Sequence, residues 1–178
     1  MLVLVGLMGS GKTTIGRRLA ARLDVPFVDA DDEVERAAGC SIEDMFEVHG
    51  EATFREGEMR VIARLLEGQP GVMATGGGAF MNEETREKIM ESGISIWLRA
   101  DLDVLVRRCG RRDDRPLLKG GDMRETLENL IDQRYPIYGK ANIIVDTGDM
   151  PHRTVVDKIM DELAAGDFIL AGPADLHE

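Results

Sequence analysis

The segment Gly6-Leu7-Met8-Gly9-Ser10-Gly11-Lys12-Thr13 constrains this chain more than any other. It satisfies G-x-x-x-x-G-K-[S/T] and lies between an apolar run, Met1 to Val5, and an amphipathic stretch with Ile15, Leu19 and Leu23 on one face. Strand, glycine-rich turn and helix in that order make a cradle for phosphate. Backbone N–H groups turn inward, the helix adds the positive end of its dipole, Lys12 reaches the β and γ oxygens, and Thr13 offers a hydroxyl to Mg2+. With glycine at about 7% of average residues, a chance match in such a chain is on the order of 1%. Gly9, Ser10, Gly11, Lys12, Thr13 and Thr14 are therefore the nucleotide-binding candidates.

Two other nucleotide folds fit less well. Gly9-x-Gly11 also follows a first strand, and Asp29 and Asp31 lie about 20 residues on, as in a dinucleotide site. Position 14 is Thr where that fingerprint wants Gly or Ala, and Lys12-Thr13 has no task there. A guanine-reading Asn-Lys-x-Asp segment is also missing, the late strand reading Asn142-Ile143-Ile144-Val145-Asp146, which favours adenine.

Apolar runs alternate with helical patterns along the chain, which is the pattern of an α/β fold with a parallel sheet. Strands are predicted at Met1 to Val5, Pro26 to Asp29, Gly71 to Ala74, Ile94 to Arg99 and Asn142 to Asp146, near-continuous apolar segments expected to be buried on both faces. Ser41 and Asn82 read as helix N-caps, and Val155, Val156, Ile159, Met160 and Leu163 share one face of a last helix. Right-handed crossovers place helices on both sides, a three-layer α/β/α arrangement. At 178 residues one domain is expected. Gly110 to Gly121 breaks the rhythm and reads as a mobile loop, and a tail follows about residue 166.

The charge balance narrows the partners. Twenty-two Lys and Arg against 33 Asp and Glu give −11, a field that repels nucleic acid and anionic lipid, so neither nucleic acid nor membrane is expected as a partner. No run approaches the ~20 apolar residues of a membrane span, and the start lacks the basic leader of a signal peptide, so a cytoplasmic location is expected. Cys40 and Cys109 have no second Cys or His at metal-ligand spacing and read as reduced thiols; His49, His152 and His177 are scattered singly.

The acceptor of the phosphate must lie where strands end, outside the carboxyl edge of the sheet. Asp29 and Asp31 close the second strand, spaced i, i+2 and on one side if the strand continues. One carboxylate could hold Mg2+ and the other could orient or deprotonate an alcohol; a helix N-cap made by Asp31 and Asp32 is the competing reading. Thr75-Gly76-Gly77-Gly78-Ala79 ends the third strand and lets a backbone approach something closely. Arg55, Arg115 and Arg134 supply forks suited to carboxylate and phosphate. Of the 17 Arg, five fall in positions 107 to 115, either a solvated basic face or an anion funnel beside the phosphate loop.

These residues together resemble the shikimate kinases, a P-loop family of the nucleoside monophosphate kinase-like group, over roughly 1 to 165. The resemblance rests on the phosphate loop, Phe27-Val28-Asp29-Ala30-Asp31, Phe54-Arg55 with Glu58, Gly76-Gly77-Gly78-Ala79, Arg115-Pro116-Leu117-Leu118 and Arg134-Tyr135-Pro136-Ile137-Tyr138. It implies a five-stranded parallel sheet in the order 2-3-1-4-5, a lid at about 110–121, use of ATP and Mg2+, and phosphorylation of the shikimate 3-hydroxyl on the route to chorismate. It further implies Asp31 as base and ring-hydroxyl ligand, Asp29 with Thr13 at the metal, and Arg55 and Arg134 on the shikimate carboxylate. Gly76, Gly77 and Gly78 would lie against the ring, Arg115 would close over the phosphates, and Arg108 would lie along the adenine or phosphates. The family's Asn-Pro or Arg-Pro pair at the adenine loop is replaced by Gly148-Asp149-Met150-Pro151. A monomer is the expectation. Gluconate kinase is the enzyme alternative, and a nucleotide-gated binding module without turnover is the non-enzymatic one.

Overall fold

The five apolar runs form five strands, joined by one helix or two in succession. The computed structural model describes residues 1–110 and 122–166. In chain order the elements are β1 (Leu2–Val5), α1 (Lys12–Leu23), β2 (Phe27–Asp29), α2 (Ala30–Ala38), α3 (Ile42–Leu66), β3 (Val72–Ala74), a 3-10 turn (Ala79–Met81), α4 (Glu83–Ser92), β4 (Ile94–Arg99), α5 (Leu102–Cys109), α6 (Met123–Tyr138), β5 (Ile143–Asp146) and α7 (His152–Ala165). The loop expected to act as a lid lies, apart from Gly110, outside the described residues, and so do Arg115 and the tail from residue 167.

Every strand pair is parallel and the order is β2-β3-β1-β4-β5, as the resemblance implies. The central strand β1 sets Leu2 opposite both Val72 and Ile94. The sequence expectation of strands buried on both faces holds for β1, for β3 and for most of β4. At the sheet's two edges it does not hold. β2 is half-buried throughout, and β5 alternates buried Ile143 and Val145, which pack with Val155 and Ile159 of α7, with exposed Ile144 and Asp146, because this edge strand is covered on one face.

Alternate side chains of β1 point into two separate cores, as a period of two requires. Val3 and Val5 join Ile62 of α3, Ile89 of α4, Leu105 of α5 and Leu127 of α6 on one face. Leu2 and Leu4 join Ile15 and Leu19 of α1 and Val155 and Ile159 of α7 on the other. A smaller cluster, Val34, Met45, Phe54 and Val61, ties α2 to α3. No helix among the described residues is long and apolar enough to cross a membrane.

Local chemistry explains where the helices begin. Ser41 starts α3 with a capping box, its hydroxyl accepting from the Asp44 N–H, and Asn82 accepts from the Thr85 N–H at the start of α4, both as expected. The cap of α2 is Asp29, whose carboxylate accepts from the Asp31 N–H at 3.2 Å. That corrects the sequence picture of this corner: β2 stops at Asp29, Asp31 is already in the helix, and the cap is made neither by Asp31 nor by Asp32. Gly50, with φ 77 and ψ 168, interrupts α3 and bends it.

Candidate active site

Helix α1 differs from α2, α3 and α4 in having no cap. Its first turn carries no acidic residue and no side chain accepts from its leading N–H groups. Those donors face a ligand space instead, which is the arrangement that binds anions. Gly11 precedes the helix at φ 98 and Gly9 turns the loop at φ 80, a region that costs a side chain strain. A Cβ on Gly9 would also stand 2.8 Å from Cys109 Sγ, so the loop is pressed onto the end of α5.

Lys12 donates to the loop carbonyls of Gly6 at 2.8 Å and Leu7 at 3.0 Å, which places its ammonium over the cradle. Thr13 Oγ1 donates to Asp29 Oδ2 at 2.8 Å. A hydroxyl and a carboxylate, both hard oxygen donors, thus meet at the mouth of the loop. They fit Mg2+, which is bound by one or two protein oxygens plus substrate phosphates. Among the described residues there is no group of three or more His, Cys, Asp or Glu that could hold a metal.

The loop opens onto a cleft of about 770 Å3, lined among others by Gly9, Gly11, Lys12, Thr13, Thr14, Asp29, Asp31, Gly77 and Arg108. Ser10 is not among the lining residues; it is buried, and its hydroxyl has no partner among the described residues. Arg108 reaches from α5 across the cleft, donating to Gly9 O at 3.3 Å and to Gly148 O at 2.7 Å, so it joins the phosphate loop to the segment after β5. His152, at the start of α7, also lines the cleft. Its scattered position in the sequence carried no signal beyond its place after the glycine-proline stretch 148–151.

The three glycines after β3 connect this cleft to the arginines. A Cβ on Gly76 would lie 2.7 Å from both Asp31 Oδ1 and Glu58 Oε1. A Cβ on Gly78 would overlap the Arg55 guanidinium, 2.6 Å from Cζ. Arg134 donates to Gly77 O at 3.0 Å, and Tyr138 donates its hydroxyl to the same oxygen. The sequence candidates Asp31, Arg55, Gly76, Gly77, Gly78 and Arg134 are thus gathered at one place beside the phosphate loop. Arg115 is a candidate outside the described residues.

Glu58 lies within the Phe54-Arg55 motif without an evident task in the sequence, and the structure supplies one. It is 3% exposed, its Oε2 accepts from Arg55 at 2.7 Å, and its Oε1 has no partner among the described residues. The signal was its position three residues after Arg55 on a helix, which puts the two side chains on one face. Burial raises the Glu58 carboxyl above its ordinary range although Arg55 opposes the shift. Asp31 is pushed up to about 6, first by burial, then by the charges of Asp29 and Glu58, with Lys12 pulling the other way. A carboxylate with such a pKa is mostly ionised at neutral pH yet basic enough to accept a proton.

Fold and phosphate loop define a P-loop phosphotransferase, with the cluster of Asp31, Glu58, Arg55 and Arg134 gathered on the three glycines beside the loop. The comparisons with known proteins name the family. The model of the shikimate kinase family matches residues 8–164, and the chain belongs to that family. It is 53% identical to a shikimate kinase of Bradyrhizobium diazoefficiens over 98% of this chain and 86% of the relative. Among solved structures, shikimate kinase from Acinetobacter baumannii in complex with shikimate superposes with a TM-score of 0.89 at 35% identity, covering 93% of each chain. A gluconokinase from Sinorhizobium meliloti shares the fold at a TM-score of 0.63 and 19% identity over 92% of this chain and 91% of that one, which shows the fold alone. The protein is a kinase of the shikimate pathway with shikimate kinase activity and the ATP use this implies.

Proposed function

We propose that the cleft transfers the γ-phosphoryl group of ATP to the 3-hydroxyl of shikimate, giving shikimate 3-phosphate and ADP. The observation that carries the reading is the convergence of Asp31, Arg55 and Arg134 on the three glycines, next to the Lys12 cradle. Shikimate is a small anion with ring hydroxyls. Arg55 and Arg134 would clamp its carboxylate, and the N–H groups of Gly77 and Gly78 would hydrogen-bond the ring.

Phosphoryl transfer asks mostly for positioning and charge stabilisation. Lys12, the α1 N-terminus and the N–H groups of the loop would hold the β and γ phosphates, with Thr14 and Arg108 on the nucleotide side. The acceptor oxygen attacks the γ phosphorus, the bond to the β–γ bridging oxygen breaks, and the hydroxyl proton passes to Asp31. Thr13 and Asp29 would hold Mg2+, which would neutralise charge on the phosphates when bound. Arg115, on the strength of its sequence motif, would close over the phosphates from the lid, and the kinase unit would span 1–165.

Substrate analogues test these assignments. A shikimate analogue lacking the carboxylate should bind wild type more weakly by about 1.5–3 kcal/mol, the value of charge-assisted hydrogen bonds, and Arg134→Lys should lose most of that discrimination. An analogue lacking the 3-hydroxyl should support no acceptor-dependent ADP release. Undiminished discrimination in Arg134→Lys, or phosphorylation of the 3-deoxy analogue, would refute them, and gluconate in the same panel checks the rival polyol.

A further inference from the structure

We infer that Tyr138 is a positioning residue for the acceptor: its hydroxyl holds the Gly77–Gly78 peptide in the orientation that aims the Gly78 N–H into the acceptor pocket. The inference rests on the reading above, in which that N–H binds the acceptor ring.

A glycine on each side of a peptide bond leaves the peptide plane little intrinsic preference, so something outside must fix it. Here the fixing groups are visible. Gly77 O accepts from the Tyr138 hydroxyl and from Arg134 at 3.0 Å. None of the described peptides is cis, and in a trans peptide C=O and N–H point in opposite directions. Drawing Gly77 O toward α6 therefore turns the Gly78 N–H away from α6. Among the described residues that N–H has no acceptor, and it lies at the glycine whose added Cβ would strike Arg55. A donor on the carbonyl also polarises the same amide, strengthening its N–H as a donor.

Two donors on one carbonyl invite the question of why both are present. Arg134 has five N–H donors and is the group proposed to grip the acceptor carboxylate, so its share of Gly77 O competes with its other task. Tyr138 has one hydroxyl proton, which it gives to Gly77 O, while its oxygen pairs with Arg134. It is fully buried, stacked near Phe80 at 6.3 Å and Trp97 at 5.8 Å, and fixed on α6 one turn after Arg134. Burial raises its phenol well above the ordinary value, which keeps the hydroxyl a donor at any working pH. Tyr135 provides an internal control, since its hydroxyl, on the same helix and ring cluster, donates to Ala100 O instead.

The test compares Tyr138→Phe with Tyr135→Phe, each of which removes one hydroxyl and leaves the ring. In Tyr138→Phe the shikimate KM should rise about fivefold to tenfold, the scale of a neutral hydrogen bond. The ATP KM should stay within about twofold of wild type, a split that loss of ring packing would not produce. Tyr135→Phe should leave both constants unchanged at a comparable Tm. The amide nitrogen resonance of Gly78 provides a readout independent of turnover, because it responds to hydrogen bonding at the preceding carbonyl. It should move in ligand-free Tyr138→Phe and stay put in Tyr135→Phe. A Gly78 resonance that Tyr138→Phe leaves in place, or equal KM changes in the two variants, overturns the clamp while the acceptor assignment stands. A wild-type Gly78 amide that ignores added shikimate instead refutes the acceptor assignment, and the positioning role with it.

Discussion

Gly78→Ala adds one carbon to a place already filled. The new Cβ would stand 2.6 Å from Arg55 Cζ, where carbon atoms in contact rest at about 3.5 Å, so the guanidinium must retreat by about 1 Å. Arg55 is not free to follow a soft path. It is bonded to Glu58 at 2.7 Å and to Glu51 at 3.1 Å, and Glu58 is buried. A retreat of that size should loosen the 2.7 Å Glu58 bond and draw the fork away from the proposed place of the acceptor carboxylate. The acceptor loses a charge-assisted contact of about 1.5–3 kcal/mol, which is about 10- to 150-fold in its KM. Thermal stability should fall as well, because Glu58 is left buried without its cation. Gly77→Ala is the control: its Cβ would meet nothing nearer than 3.6 Å and leave the Arg55–Glu58 pair intact. Initial rates at saturating ATP with shikimate varied, alongside thermal melts of the three proteins, make the comparison. A Gly78→Ala protein with a shikimate KM within twofold of wild type would show that Arg55 yields without loss, and the clamp argument would be wrong.

Three further outcomes are expected. Lys12→Met should lose about 3 kcal/mol or more of transition-state stabilisation with the fold retained, and turnover within tenfold of wild type in a folded variant would contradict the cradle assignment. Asp31→Asn should lower kcat by about 100-fold or more with ATP affinity little changed, and the wild-type rise of kcat/KM through pH about 6 should be absent from its profile; a variant that only melts earlier would leave Asp31 a structural residue. The same group makes a stability prediction of definite sign. Its folded pKa lies above its unfolded value, so its contribution is full below pH ~4 and is lost as pH rises through about 6; the melting temperature of wild type relative to Asp31→Asn should therefore fall across that window, and a rise would refute the burial argument.

Much of this was readable from the residues. The phosphate loop announces itself because its chemistry demands particular residues at fixed spacing, and the strands do so because burial demands apolar runs. Cap residues such as Ser41 and Asn82 are legible for the same local reason. What the sequence concealed depended on where local rules hand over to one another. The i, i+2 spacing of Asp29 and Asp31 suggested a shared strand face, whereas Asp29 caps a helix and Asp31 rides in its first turn. The two carboxylates still come near each other, because that of Asp29 accepts from the Asp31 backbone N–H at the cap, and not by strand alternation. Glu58 was hidden for another reason: an acidic residue on a helix is ordinarily solvated, and only the glycine at position 76 makes room for a buried one. Strand order came from likeness to a family, since short parallel strands carry nothing in their own residues that fixes their neighbours.

The sheet's edges have a consequence for strand pairing between molecules. At about 3.3 Å per residue, the three residues of β2 and the four of β5 expose ladders only about 10 and 13 Å long. Such stubs give a foreign strand too few hydrogen bonds to repay its ordering, and β5 ends on Asp146, a charge held by Arg99 at 2.8 Å. Edge-to-edge growth through these strands should therefore be disfavoured at high concentration, by the brevity of the outermost strands as much as by the net charge of −11.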